Sequence, residues 1–305
     1  MRADLRPLFI LGPTGSGKSA VAVRVAQLLG RAEIVSADAY QVYRELPILT
    51  AAPSAGEQAA VPHHLVACMG VQESHDAATH ARRAQECIRE IQQRGNRPIV
   101  TGGSGLYVKF ISHGISPAPP SDAALRTELS ALPPEEAVRR LQEADPEGAA
   151  ATDLQNPRYV VRNLEIVLLG GKPLSYWKNN WVPEQAAGPG FSLVRDTAEL
   201  DARIARRAAA MVEQGVVQEV EALLAATEGG STLSHTAART LGLEQVQRYL
   251  QGHCSRREMI AELALVTRQY AKRQRTWLRR EKWLTPVPVA PGDTCDAVCA
   301  RVVAV

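Results

Sequence analysis

The residues with the most definite chemistry form one run near the start of the sequence. The run is Gly12-Pro13-Thr14-Gly15-Ser16-Gly17-Lys18-Ser19. It fits the pattern G-x-x-x-x-G-K-[ST], in which the backbone N–H groups of a glycine-rich loop and a helix N-terminus surround phosphate oxygens. Lys18 supplies a positive charge to a terminal phosphate, and the Ser19 hydroxyl suits a Mg²⁺ ion. The run predicts a diphosphate or polyphosphate site, the alternative being a glycine-rich turn that caps a helix without a ligand.

A carboxylate follows the next apolar stretch of the sequence. Asp38 comes directly after the segment 33–37, which we expect to be a strand. An Asp at a strand end beside a phosphate loop can hold Mg²⁺ or accept a proton from the acceptor substrate. Its other possible role is to cap the segment that follows. We predict that Asp38 is catalytic together with Lys18 and Ser19.

Two arginines four residues apart, Arg203 and Arg207, lie on a predicted helix that follows a predicted strand. Two roles are open for them. They can reach the phosphate loop and hold a diphosphate, or they can pair with surface acids such as Glu199. We include both arginines in the predicted diphosphate site.

Basic residues are concentrated in one segment, from Arg268 to Lys282. It holds seven basic residues and one acid, a net charge of +6, whereas the whole chain has a net charge of +3. Arg268, Lys272, Arg275 and Arg279 recur on one helix face. Such a face indicates a polyanionic partner, RNA or DNA. The alternative is a solvated surface helix whose Trp277 packs inward.

The positions of these residues depend on alternating strands and helices. Apolar runs predict strands at 8–11, 33–37, 97–101 and 191–195. Helical spacing of apolar residues predicts helices at 17–29, 76–94, 198–214, 216–226, 237–251 and 256–282. This alternation predicts a P-loop NTPase-like α/β fold with a parallel sheet flanked by helices. In such sheets ligands lie beyond the carboxyl ends of the strands, where the phosphate loop, Asp38 and the stretch 102–104 would meet.

Two Pro- and Gly-rich passages, 116–121 and 183–190, interrupt this pattern. Between them the residues predict short amphipathic helices and no strand. We therefore expect a first part of the α/β core at 1–115, an inserted helical domain at 116–190, and a second part of the core at 191–305.

The composition excludes several classes of protein. The 305 residues contain no apolar run long enough for a membrane span, and the N-terminus leads directly into the first predicted strand. We expect neither a signal peptide nor a membrane partner. The five cysteines lack zinc spacing, so reduced thiols in a cytoplasmic protein are expected, with Cys295 and Cys299 on one helix face. Without a long apolar helical seam, we expect a monomer.

The motifs together resemble one family, the bacterial tRNA isopentenyltransferases (tRNA dimethylallyltransferases). The resemblance runs in order over nearly the whole chain and is most specific in its last motif. Single positions depart from the family pattern, such as Ala39 in place of Ser and Leu243 in place of Tyr. The stretches that carry the resemblance are Gly12–Ser19, Ser36–Asp38, Gln41–Arg44, Val61–Leu65, Gly102–Tyr107, Gly171–Ser175 and Thr267–Trp277.

The resemblance implies transfer of a dimethylallyl group from dimethylallyl diphosphate to the exocyclic amine of the adenosine just 3′ of the anticodon, with Asp38 as general base. It implies that the phosphate loop holds the diphosphate with Mg²⁺ at Ser19, and that the inserted domain clamps the tRNA anticodon stem-loop. It also places tRNA contacts at a dispersed set of residues. These are Asp38, Ala39, Tyr40, Gln41, Ser104, Arg126, Arg158, Tyr159, Val160, Val161, Arg162, Arg239, Gly242, Lys272, Arg273, Gln274, Arg275, Thr276, Trp277 and Arg279.

Two other functions use the same loop. A small-molecule kinase would bind ATP there, but the strand end at 101–103 carries no acid and the basic helix has no role in such an enzyme. A regulatory protein would bind a nucleotide and a nucleic acid without chemistry. Loss of catalysis with retained RNA binding on substitution of Asp38 would separate the enzyme from the regulator.

Overall fold

A six-stranded sheet forms the centre of the protein. The computed structural model describes residues 4–180, 188–228 and 232–303. The strands are β1 Leu8–Leu11, β2 Ala32–Ala37, β3 His63–His64, β4 Arg97–Gly102, β5 Gly190–Arg195 and β6 Leu284–Val289. Their order across the sheet is β3-β2-β4-β1-β5-β6, and every neighbouring pair is parallel. This confirms the predicted α/β fold with a parallel sheet.

Helices connect the strands and cover the sheet. In chain order the α-helices of the described residues are α1 Lys18–Leu29, α2 Ala55–Ala60, α3 Ala77–Gln93, α4 Gly105–His113, α5 Ala123–Ser130, α6 Pro134–Ala144, α7 Pro146–Ala150, α8 Pro157–Gly170, α9 Leu174–Asn180, α10 Thr197–Glu213, α11 Val216–Glu228, α12 Leu243–Leu250, α13 Arg256–Leu278 and α14 Cys295–Val303. Among the described residues, none of these helices is long and apolar enough to cross a membrane.

The predicted helix 237–251 is wrong as a single element. The chain forms a short 3₁₀ helix at Ala237–Arg239 and starts α12 only at Leu243. Gly242 separates the two pieces with a φ of 93°, a left-handed conformation that glycine adopts without steric cost. The segment 240–242 therefore forms a bend, which brings Thr240 and Leu241 to a cavity wall.

The predicted helix 256–282 ends at Leu278 because the chain turns there into β6, which the sequence analysis missed. This strand contains Pro286 and Pro288, residues that normally argue against a strand. β6 is the edge of the sheet and pairs only with β5, so its prolines withdraw no ladder hydrogen bond from a second neighbour. The two-residue strand β3, at the opposite edge, was also missed.

The chain divides into two compact units, one of residues 1–113 together with 185–305 and one of residues 114–184. In the α/β unit, α1 and α14 contribute to one apolar cluster with the sheet, and α3, α4 and α10 to α13 contribute to the other. Cys295 and Cys299 both lie on α14, as expected, and all five cysteines are free thiols.

The second unit is helical over its described residues and has a core of its own. Helices α5, α6 and α8 contribute the fully buried side chains Leu129, Leu141 and Leu164. The inserted domain was expected at 116–190, with limits a few residues from these. Its role as a tRNA clamp stays a prediction.

Candidate active site

The phosphate loop connects the end of β1 to the start of α1. Gly15 and Gly17 have φ values of 82° and 92°, which residues other than glycine rarely adopt. At Gly12 the constraint is space, because a Cβ atom there would lie 2.6 Å from Oγ of Ser16 and the Ser16 side chain would have to move. The loop leads directly into the N-terminus of α1, as the motif predicts, with Gly17 in the N-cap position.

Three arginines hold three consecutive residues of this loop. Arg207 donates from Nη2 to Oγ1 of Thr14. Nε of Arg203 donates to the carbonyl oxygen of Gly15 over 2.8 Å, and Nε of Arg195 donates to that of Ser16 over 2.8 Å. Because loop carbonyls are bound from outside by cations, positive charge surrounds the loop.

Arg195 was not among the predicted site residues. It ends β5, and a glycine-rich loop at the end of β1 lies beside that position because β1 and β5 are neighbours. The rule that ligands lie at carboxyl strand ends would have pointed to it. Its Nη1 also donates to Glu199, the acid that the sequence offered as a partner for Arg203 or Arg207.

The charges around the loop influence one another. Removal from water lowers the pKa of Lys18 to about 8; the nearby Asp38 opposes this decrease and Arg207 adds to it. Burial also lowers the pKa of Arg207, again with Asp38 opposing. These cations are poorly solvated and have Asp38 as a nearby negative group, so a bound anion would be strongly favoured.

Asp38 lies directly after β2 and starts a tight turn. Its Oδ1 accepts the backbone N–H of Tyr40 over 2.9 Å and that of Gln41 over 3.4 Å. The capping role considered from the sequence is therefore real. It does not occupy the carboxylate completely, because Asp38 is only partly buried and also lines a cavity.

That cavity, of about 80 Å³, joins the predicted catalytic groups to apolar walls. Thr14, Lys18, Ser19 and Arg207 line its phosphate end, next to Asp38. Its remaining lining residues include Leu49, Ile204, Ala208, Met211, Leu263 and Tyr270. A second cavity of about 310 Å³ shares Lys18, Ser19 and Arg207 with the first and is also lined by Arg203 and Arg206. The two adjacent cavities together can accept a ligand that has a diphosphate at one end and a hydrocarbon group at the other.

Helix α13 presents two different faces. Oε1 of Gln274 accepts the backbone N–H of Thr14 over 2.8 Å, and Nε1 of Trp277 donates to the carbonyl oxygen of Gly103 over 3.1 Å. Tyr270, one turn before Gln274, hydrogen-bonds through its hydroxyl to Oγ of Ser104 at 3.1 Å. This face packs against the loops at the strand ends, and burial raises the pKa of the Tyr270 phenol well above its ordinary value.

The other face of α13 carries the basic residues. Lys272 and Arg273 are exposed and Arg275 is partly exposed, and the exposed Arg279 and Arg280 follow directly after the last residue of the helix. Trp277 therefore packs inward while the opposite face of the helix stays available for a nucleic acid. The two roles predicted for this helix are compatible, because they use different faces. Gln274 is 2% exposed, so its side chain is committed to the phosphate loop.

Comparisons with known proteins decide the family. A model described as IPP transferase matches residues 41–281. A protein of Akkermansia muciniphila named tRNA dimethylallyltransferase is 56% identical over 295 residues, with 97% of each chain covered. The chain belongs to the IPP transferase family. This confirms the resemblance found in the sequence.

Solved structures agree with this assignment. The full-length tRNA isopentenylpyrophosphate transferase of Bacillus halodurans matches with a TM-score of 0.70 and 31% identity, covering 98% of this chain and 95% of that one. A eukaryotic dimethylallyltransferase acting on tRNA matches with a TM-score of 0.83, covering 97% of this chain and 77% of that one. At 23% identity, the second likeness concerns the fold alone.

The remaining predicted RNA contacts of this IPP transferase lie in different surroundings. Arg239 is exposed on the 3₁₀ helix, whereas Gly242 lies behind the cavity wall, where a Cβ atom would meet side chains of Leu263 and Leu49. Oγ of Ser104 accepts the N–H of Ala39 over 3.3 Å, which ties the turn after Asp38 to the stretch after β4. As RNA contacts these residues stay predictions.

In the helical unit, Glu165 organises two of the predicted arginines. It is completely buried and accepts from Arg126 and from Arg162, the latter over 2.6 Å. Tyr159 and Arg158 are exposed, Val161 is partly buried, and Val160 belongs to the core of this unit. Within this stretch, Arg158 and Tyr159 are thus the most accessible side chains for RNA.

Proposed function

We propose that this enzyme transfers a dimethylallyl group from dimethylallyl diphosphate to the exocyclic amine of the adenosine 3′ of the anticodon in tRNA. The observation that carries the proposal is the cavity in which cationic phosphate-binding groups, an apolar wall and the carboxylate of Asp38 meet. The family membership supports the reaction class, and a small-molecule kinase using ATP is not favoured.

The donor fits the cavity by the chemistry of its two ends. The loop N–H groups together with Lys18, Arg203 and Arg207 would bind the diphosphate and neutralise its charge as it leaves. The five-carbon group would lie against the apolar side chains of Leu49, Ile204 and Met211. In that position these side chains would exclude water from the allylic carbon. Hydrolysis of the donor is thereby reduced.

The acceptor amine requires a base. Its nitrogen forms a bond to the first carbon of the dimethylallyl group while the bond from that carbon to the diphosphate oxygen breaks. The amine loses a proton as the new bond forms, and Asp38 accepts it. An adenine must leave its stack to reach this buried position, as in other base-modifying enzymes.

The site also suits Mg²⁺. The Ser19 hydroxyl lines the cavity together with Asp38 and Lys18, and Mg²⁺ is commonly held by one or two protein oxygens and the substrate phosphates. When bound, Mg²⁺ would neutralise charge on the leaving group.

The tRNA would bind along the exposed basic face of α13 and on the helical unit. Arginines pair with phosphates and stack on unpaired bases, so Arg273, Arg275 and Arg279 are suited to the anticodon loop. Arg273 lies over the ring of Tyr270, with 5.6 Å from its guanidinium carbon to the ring centroid. The cytoplasmic location and the monomeric state stay predictions.

A paired label-transfer experiment tests the function. One reaction contains labelled dimethylallyl diphosphate, unmodified tRNA and Mg²⁺, and the other contains γ-labelled ATP with the same tRNA and a panel of small metabolites. We expect label in tRNA only in the first. A tRNA with guanosine 3′ of the anticodon is the matched control, since it lacks the exocyclic amine of adenine. Label transferred only from ATP would overturn the proposal.

A further inference from the structure

A buried pair of histidines, His75 and His80, lies next to the strand that carries the proposed base. His80 is completely buried and His75 is 4% exposed. Nε2 of His75 lies 2.9 Å from Nδ1 of His80, and Nε2 of His80 lies 2.8 Å from the carbonyl oxygen of Ser36. Ser36 is two residues before Asp38. The two imidazoles therefore form a hydrogen-bonded chain that ends on Ser36, the second-last residue of β2.

Donor and acceptor rules fix the protons of this chain. A carbonyl oxygen only accepts, so Nε2 of His80 carries a proton and donates to Ser36. In the neutral ring, Nδ1 of His80 is then an acceptor, and Nε2 of His75 donates to it. Nδ1 of His75 is buried and has no hydrogen-bond partner in the described structure. The pair therefore has one proton on each ring, at Nε2 in both.

The Ser36 carbonyl needs such a donor because of the sheet. The N–H of Ile34 donates to the carbonyl oxygen of Pro62, so Ile34 and, two residues later, Ser36 direct their backbone groups towards the β3 edge. β3 ends at His64, which is paired with Val35. Beyond that point β2 has no strand on this edge, and His80 of α3 provides the donor instead.

The same pair is connected to a second wall of the cavity. Oγ1 of Thr236 donates to the carbonyl oxygen of His75 over 2.6 Å. The chain after Thr236 forms the short 3₁₀ helix and then contributes Thr240 and Leu241 to the cavity that contains Asp38. The ring of Tyr107 packs against both imidazoles, with ring centroids 5.0 Å from His80 and 5.9 Å from His75.

We propose that the His75–His80 pair positions Asp38. It does so by holding the Ser36 carbonyl and by joining β2 to the cavity wall that contains Thr240. This inference rests on the proposed function, because it assigns the pair to the geometry of the base in that reaction. Neither histidine lines the cavity that contains Asp38, so the pair acts on the rate through Asp38.

Burial supports a neutral pair at neutral pH. It lowers the pKa of His80 to about 4, with His75 and Arg83 acting in the same direction and the Ser36 hydrogen bond opposing. Burial and Arg83 lower the pKa of His75, against Asp76 and Glu73. Tyr107 is another titratable neighbour, and burial raises the pKa of its phenol. The one-proton arrangement is therefore maintained where the enzyme would work.

Two substitutions of His80 separate a positioning role from a structural one. His80→Phe keeps a ring of similar size but removes the donor to Ser36, whereas the amide nitrogen of His80→Gln can replace Nε2. In single-turnover transfer at saturating donor and tRNA, we expect about a tenfold lower rate constant for H80F and less than about a threefold decrease for H80Q. The KM values for donor and tRNA should stay unchanged in both. His253→Phe, at an exposed histidine, is the matched control.

The outcomes distinguish this inference from the function on which it rests. A wild-type protein that does not prenylate tRNA would disprove the proposed function. An active wild type with an equally fast H80F, or with KM rather than the rate constant changed, would disprove the positioning role. If H80F does not fold, ¹⁵N NMR of the wild type decides: protons on Nε2 of both rings support the inference, and a proton on Nδ1 of neutral His80 overturns it.

Discussion

The two ends of β2 carry carboxylates in opposite circumstances. At the amino end, Glu33 is 5% exposed and accepts two hydrogen bonds from Arg94, one from Asn96 over 2.7 Å and one from His64 over 2.7 Å. At the carboxyl end, Asp38 faces a cavity and, within the described part of the chain, accepts hydrogen bonds only from backbone N–H groups of its own turn. A carboxylate whose acceptor positions are all occupied stabilises the fold, whereas one with free acceptor positions that face a cavity can receive a hydrogen bond from a bound substrate.

Asp38→Asn should have the largest effect, since it removes the base while keeping a side chain of the same shape. We expect the transfer rate to fall by about 10³-fold, within the usual range for loss of a general base. Binding of tRNA, measured by filter retention, should remain within about threefold because the basic face of α13 is unchanged. A variant that keeps most of its rate would assign the proton to another group.

Glu33→Gln should destabilise the protein without affecting catalysis. The substitution replaces one of the two buried oxygens, which accept from Arg94, Asn96 and His64, by an amide nitrogen that only donates. A buried hydrogen-bonding group left unsatisfied typically costs about 1–3 kcal/mol. The transition in urea should move to lower concentration, while the transfer rate of the folded enzyme at low temperature stays within about twofold of wild type. A Glu33→Gln variant with wild-type stability and a reduced transfer rate would show that Glu33 serves catalysis rather than the fold.

The same carboxylate predicts a pH dependence of stability. Hydrogen bonds from Arg94, and then from Asn96 and His64, lower the pKa of Glu33 to about 2, below its ordinary value of 4.5. A lowered pKa means that the unfolded chain takes up the proton first as the solution is acidified. The stabilisation by Glu33 is complete above pH 4.5 and is lost as the pH falls towards 2. Glu33→Gln should flatten the free energy of unfolding over this interval in urea titrations.

A double substitution of Arg275 and Arg279 by Ala tests the exposed face of α13. Each phosphate contact that is lost lowers the salt dependence of binding by about one counterion, so the slope should decrease by about two. We expect about tenfold weaker tRNA binding at moderate salt, with the transfer rate at saturation nearly unchanged. Unchanged binding and slope would remove this face from the interface.

Sequence reasoning succeeded where a signal is local. The phosphate loop, the strand end at Asp38 and the alternation of strands and helices depend on contiguous residues, and the structure contains all three. β6 was missed because Pro286 and Pro288 argue against a strand unless its edge position is known. The interruption at Gly242 was missed because apolar spacing continues through the bend.

Residues whose role depends on distant partners could not be assigned from spacing. Arg195 reaches the loop only because β5 lies beside β1, and Gln274 meets Thr14 across 260 positions of sequence. The implied RNA role of Gln274 came from a motif that includes both faces of α13. The histidine pair also depends on tertiary packing, since α3 meets β2 at the point where β3 ends.

The smallest change in stability is expected for a substitution of Glu136. It tests whether a carboxylate with a low pKa always stabilises the fold, as we infer for Glu33. Hydrogen bonds from Arg139 and Arg140 lower the pKa of Glu136 to about 2, the same value as for Glu33. The Glu136 side chain is 27% exposed, against 6% for Glu33, so water can replace its hydrogen bonds when the charge is removed. Glu136→Gln should therefore leave the urea midpoint nearly unchanged, measured beside Glu33→Gln. An equal loss in both variants would mean that burial does not distinguish these two carboxylates, and the structural role assigned to Glu33 would lose its basis.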